Sequence, residues 1–156
     1  MFHALLLGDE TESMEDIEFA KNTLKKNKDN LVIVKNGRLL FETRMQGIRG
    51  LLNAIVNIGN ELKGSTAADK IVGEAAAQLF AYSNVNRVFA ATLSQCGRDI
   101  LTKNNIDYSY ESLVPHILNV NKTDLCPFEK TVAGASNPAE AYERLRKSAL
   151  HLQPKR

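Results

Sequence analysis

Tryptophan is absent from this 156-residue chain, cysteine occurs twice, and aromatic residues make up only 6% of it. Cys96 and Cys126 stand 30 positions apart with no Cys-x-x-Cys pair. That spacing argues against a disulfide scaffold and leaves reduced thiols in a cytoplasm as the expectation. Basic residues never run longer than a pair, and the net charge is +2. This counts against a dedicated nucleic-acid binder, though not against a nucleotide ligand. The apolar run "ALLL" near the start has no basic residue before it and "GDETE" after it, so neither a signal peptide nor a membrane span is expected.

What is present is ordinary for one globular domain: 44% hydrophobic and 24% charged residues, enough to bury a sizeable core. We read residues 1–156 as a single domain, with 1–12 as an N-terminal extension. "SMEDIEFAKNTLKKNK" spaces Ile17, Ala20 and Leu24 as one helix face, with Ser13 and Asp16 resembling a capping box. "LVIVKNGRLLFET" predicts two strands around Asn36-Gly37, a pair suited to a type I′ turn. "GIRGLLNAIVNIGNEL" predicts a helix packed through Leu51, Leu52, Ile55 and Ile58. "STAADKIVGEAAAQLFAYSNV" predicts another, capped by Thr66 with Asp69 at its third position and rich in small residues.

Beyond it, "NRVFAATLS" predicts a strand buried on both faces, "QCGRDILTKNNI" a short helix, and "DYSYESLVPHILN" an extended segment whose Pro115 implies an edge or a bulge. "CPFEKTVAGA" predicts a short helix. "NPAEAYERLRKSALHL" closes the chain, with Asn137 as cap and Pro138 at the first helical position. Strands separated by helices, two of them a hairpin, imply an α/β domain with a mixed sheet.

Several residues stand out chemically. Cys126 precedes Pro127, so its sulfur falls at a helix N-cap, where free N–H groups favour a thiolate. Cap or gap-filler, nucleophile and metal ligand are all readings of that position. Glu129, at the third helical position, would reach back to the cap amide or carry a proton. His116 would either be a hydrogen-bonded core histidine or pair with Cys126. A zinc shared by Cys96, Cys126 and His116 lacks ligand spacing. Lys70, with Asp69 at the predicted helix start, would make either a surface ion pair or an anion site. Gly73, inside that same helix, would allow close packing or a ligand over the backbone, at a cost of about 1 kcal/mol relative to alanine.

The segments "STAADKIVGEAAA", "YESLVPHILN" and "NKTDLCPFEKTV" resemble the bacterial and archaeal family called domain of unknown function 1893, over about Asn22 to Leu145. The resemblance implies a three-layer α/β/α sandwich like that of cytidine deaminases. A working deaminase of that kind needs His or Cys, then x-Glu, at one helix start, and Pro-Cys-x-x-Cys at the next, to hold a zinc-activated water. Placed on "AADKIVG" and "LSQCGRD", the pattern finds only Cys96, with Asp99 where the second cysteine would be. No metal and no cofactor are therefore expected, and zinc-dependent deamination is not.

The fold that the resemblance implies also places a cleft between facing helix starts, lined by Asp69, Lys70 and Gly73 and by the turn from Ser94 to Cys96. "NKTDLC" would fold over it, bringing Asn119, Thr123 and Cys126 near. Three functions stay open. One is a binding module for a small anionic or nucleotide-like ligand. Another is a zinc-independent enzyme with Cys126 as nucleophile, aided by His116, Asp69 or Glu129. The third is a structural subunit, for instance of a homodimer.

Overall fold

The structure, a computed structural model, describes residues 15–151. Ser13, half of the expected capping box, lies outside them. Helix α1 covers 15–26. The hairpin follows as β1 (Leu31–Lys35) and β2 (Arg38–Thr43), then α2 (Arg49–Ile58), which tightens into a 3-10 turn over Gly59–Leu62. Next come β3 (Thr66–Val72), α3 (Glu74–Tyr82), β4 (Arg87–Ser94), α4 (Gln95–Lys103), β5 (Asp107–Val114), α5 (Pro127–Val132) and α6 (Pro138–His151).

The five strands form one sheet in the order β2-β1-β3-β4-β5. β1 pairs antiparallel with β2 and with β3, while β3, β4 and β5 run parallel. The hairpin turn forms as its sequence dictates: Asn36 and Gly37 both have positive φ, 52° and 75°, the geometry of a type I′ turn. Asp16, buried on α1, accepts hydrogen bonds from both turn amides, Asn36 N at 3.0 Å and Gly37 N at 2.8 Å. That contact ties the first helix to the turn.

Alternation along the strands sorts side chains into two cores. Val32, Val34, Ala68 and Phe89 meet Ile17, Ala20 and Leu24 of α1. Leu31, Ile33, Ala67, Val88 and Ala90 belong to the larger core, to which α2 through α6 all contribute. The result is a three-layer α/β/α sandwich. In the β3–α3–β4–α4–β5 run, α3 and α4 connect parallel neighbours and pack together on the larger core.

One expectation fails. The helix predicted from Ser65 begins nine residues later, because Thr66–Val72 is the central strand and Gly73 is the cap of α3. Thr66, Ala67 and Ala68 are buried, and a central strand covered on both faces shows no two-residue alternation to betray it. The Thr66–Asp69 spacing resembles a capping box without being one. Pro115 follows β5 directly, on an edge strand as expected.

Candidate active site

The parallel strands β3 and β4 end where α3 and α4 begin, the usual place for a ligand in an α/β layer. Two glycines bring these helix starts together. A Cβ on Gly97, in the first turn of α4, would lie 3.0 Å from the carbonyl carbon and oxygen of Gly73. A Cβ on Gly73 would lie 2.1 Å from Glu129 Oε1 and 2.7 Å from the Ile117 side chain. Gly73 has an extended backbone, with φ −106° and ψ −163°, so the glycine is required by crowding and not by its φ.

The crowding group is the Glu129 carboxylate. Its Oε1 accepts from Glu74 N at 2.8 Å and its Oε2 from Ala75 N at 2.7 Å. Glu129 therefore caps α3 from another helix and does not reach back to its own cap amide. Two of the orphan N–H groups that every helix start carries are satisfied in this way, by a negative charge at the positive end of the dipole. Burial raises the Glu129 pKa, against the lowering effect of those two N–H bonds. The charge of Glu74 raises it further, and His116 pulls it down. Burial also raises Glu74.

Cys96, in the first turn of α4, is exposed. Its thiol is pushed up by burial of the sulfur and by the nearby charges of Glu74, Asp99 and Glu129. The site is thus acidic, which opposes thiolate formation.

The residues singled out from the sequence fall in several places. Asp69 and Lys70 are on β3, before the turn, so neither opens α3; Lys70 is exposed and its amide bonds Asn30 O at 3.0 Å. Asp69 pairs in register with Leu31 and Ala90 of the larger core, and burial pushes its carboxyl up to about 8. Ser94 is buried, and its Oγ accepts from Gly97 N at 2.9 Å as the cap of α4. Cys126 is the cap residue of α5, but its side chain makes no cap hydrogen bond, and it packs partly buried against the larger core. His116 is exposed beyond the end of β5 rather than in the core; its charge acts on Glu129.

Just after β5, the Ile117 side chain lies against Gly73 at the α3 start. Asn119 and Thr123 shape the loop that follows: Asn119 Nδ2 donates to Thr123 Oγ1 at 3.1 Å, and Thr123 N to Asn119 Oδ1 at 2.9 Å. The bridge between Leu118 and Leu125 closes the same loop.

Sequence reasoning missed Glu74. With α3 beginning there, the His/Cys-x-Glu pattern of zinc deaminases falls on Val72-Gly73-Glu74, at the end of "AADKIVG" and one residue past it. The glutamate is present and the ligand position is a fully buried valine. Among the described residues, no three His, Cys, Asp or Glu side chains could hold a metal ion. A catalytic zinc needs three deprotonated donors, and Val72, a lone Cys96 and Asp99 do not supply them. The residues do not fit a deaminase zinc.

Beside Glu74 a cavity of about 160 Å³ lies between α3 and α4, lined by Gln78, Ile100, Lys103 and Asn104 and closed by the turn at 135–138. At roughly 30 Å³ per water, it has room for a single ring or an amino acid and not for a nucleotide.

The layers, the strand order and the two facing helix starts define a three-layer α/β/α sandwich with a mixed five-stranded sheet. Residues 19–148 match the family described as domain of unknown function, DUF1893. The chain belongs to that family. A DUF1893 family protein from Thermotoga maritima has a similar solved structure, with 25% identity, a TM-score of 0.78, and coverage of 88% of this chain and 90% of that one. A dCMP deaminase from cyanophage S-TIM5 is similar at 16% identity and a TM-score of 0.46, over 63% of this chain and 95% of that one. RibD from Acinetobacter baumannii is similar at 22% identity and a TM-score of 0.43, over 66% of this chain and 35% of that one. No curated protein matches the chain.

Proposed function

We propose that the chain is a binding module that takes a small amino-bearing ring at Glu74 without zinc chemistry. The observation that carries this reading is the Glu129 carboxylate seated on the Glu74 and Ala75 amides. An anionic ligand at that helix start would have to displace Glu129 and then face Glu74. An amino group meets the opposite situation, because a carboxylate accepts its hydrogen bonds and is stabilised by partial positive charge. The small-anion reading built on Lys70 is therefore replaced, since Lys70 is not at the helix start. The thiol-enzyme reading, built on Cys126, gains no support from a cap hydrogen bond there, and at Cys96 the acidic surroundings disfavour a thiolate.

The test is a titration of the protein with 2-aminopyrimidine and cytosine, followed by backbone amide shifts. Saturable shifts at Glu74, Gln78 and Lys103, weakened about tenfold or more in Glu74→Gln, are the expected result; tenfold corresponds to about 1.4 kcal/mol. Absence of saturable shifts at those residues with either probe, at about 10 mM and so beyond ordinary millimolar fragment affinity, would remove the proposal.

A further inference from the structure

A second cleft lies at the other end of the sheet, where β4 and β5 begin. Its volume is about 660 Å³, within the range of small-molecule sites. Three layers meet there: Ile17 comes from α1, Thr102 and Asn105 from the end of α4 and the loop after it, and Arg87 and Tyr108 from the strands.

Arg87 is the first residue of β4, held in register between Thr66 and Asp107. A guanidinium carries five N–H donors in a fixed fork. Among the described residues, Arg87 Nε is buried without an acceptor, and the ion pair to Asp107 Oδ2 spans a long 3.4 Å. The Asp107 side chain is 73% exposed, so water competes for it and the pair holds Arg87 weakly. Besides the Asp107 carboxylate, the polar groups around this cation are the hydroxyls of Thr102, Tyr108 and Ser109 and the amide of Asn105. Thr102 Oγ1 donates to Tyr108 Oη at 3.2 Å, which leaves the Tyr108 hydroxyl proton free to donate outward. Ser109 adds a further hydroxyl to the lining. Ile17 supplies apolar surface on the α1 face that Arg87 shares, while the Tyr108 ring closes the cleft from the other face of the sheet, against the larger core.

We infer that this cleft is a ligand site for a planar molecule ending in a carboxylate or phosphate, with Arg87 receiving the anion and Ile17 flanking the ring. Both anions match the planar guanidinium fork, and both are met bidentately by arginine elsewhere. The site shares no residue with the cavity at Glu74, so either can fail without touching the other.

Amide shifts on titration with phenyl phosphate, benzoate and inorganic phosphate test it. Phenyl phosphate or benzoate is expected to shift Ile17, Tyr108 and Ser109 saturably and more tightly than inorganic phosphate, and whichever of the two binds more strongly identifies the anion. Arg87→Gln is expected to weaken that binding at least tenfold. Asp107→Asn, which removes the competing carboxylate and leaves the fold's core untouched, is expected to strengthen it. The inference is overturned if neither aromatic anion gives saturable shifts at those residues, or if Asp107→Asn binds no better than the unaltered chain.

Discussion

At the scale of single residues, the site is a fit between one absent Cβ and one carboxylate. Gly73→Ala would place a methyl where Glu129 Oε1 now lies, expelling the carboxylate from two helix-start amides. Overpacking and the loss of charge-assisted bonds together are expected to lower stability by about 2–4 kcal/mol, read from chemical denaturation. In the Glu129→Ala background the same glycine change no longer meets the carboxylate, leaving the Ile117 side chain 2.7 Å from the new Cβ. The two substitutions are therefore expected to cost clearly less together than the sum of their separate effects. Strict additivity would mean that Glu129 does not occupy the Gly73 cradle. None of this was legible in the sequence. Glycine before a glutamate reads as packing or as a turn, and nothing along the chain connects it to a residue more than fifty positions away.

The elements were mostly legible, for reasons that also explain the exception. The hairpin carried its own turn chemistry in Asn36-Gly37, and α6 its cap in Asn137, whose Oδ1 accepts from Glu140 N at 2.8 Å. β3 carried neither signal. Its burial on both faces removed the alternation of a half-buried strand, and its alanines joined those of α3 into one apparent helix. That error displaced the candidate site, moving it from Glu74 back to Asp69 and Lys70. The helix starts themselves offer a check. Ser94 caps α4, so Ser94→Ala is expected to cost about 1 kcal/mol while leaving binding at Glu74 within error of the unaltered protein. Asp16→Ala, which strips both turn amides of their partner, is expected to cost about 1–3 kcal/mol and to raise amide exchange at Asn36 and Gly37 above that of the sheet centre. A turn unaffected by the change would show that the hairpin closes without α1.

At the scale of the whole molecule, the buried carboxyls make stability depend on pH in a stated direction. Asp69 is raised from 3.8 to about 8 in the folded chain. A carboxyl raised by folding contributes fully below its unfolded value, and that contribution is lost as pH rises through its folded value. Thermal unfolding of the unaltered protein compared with Asp69→Asn is therefore expected to show a gap that opens above about pH 4 and levels off near pH 8, with the asparagine variant the more stable. A gap that narrowed over that range would contradict the burial of Asp69. The same sandwich carries two clefts, one between α3 and α4 beside Glu74 and one around Arg87 where β4 and β5 begin, and both reach the end of α4. The α3 start is already filled from within by Glu129, and the amide shifts of Glu74 and Ala75 during titration with inorganic phosphate report on that directly. Those two amides are expected to stay unmoved by phosphate in the unaltered protein and to respond saturably in Glu129→Ala; an equal response in both proteins would contradict the account.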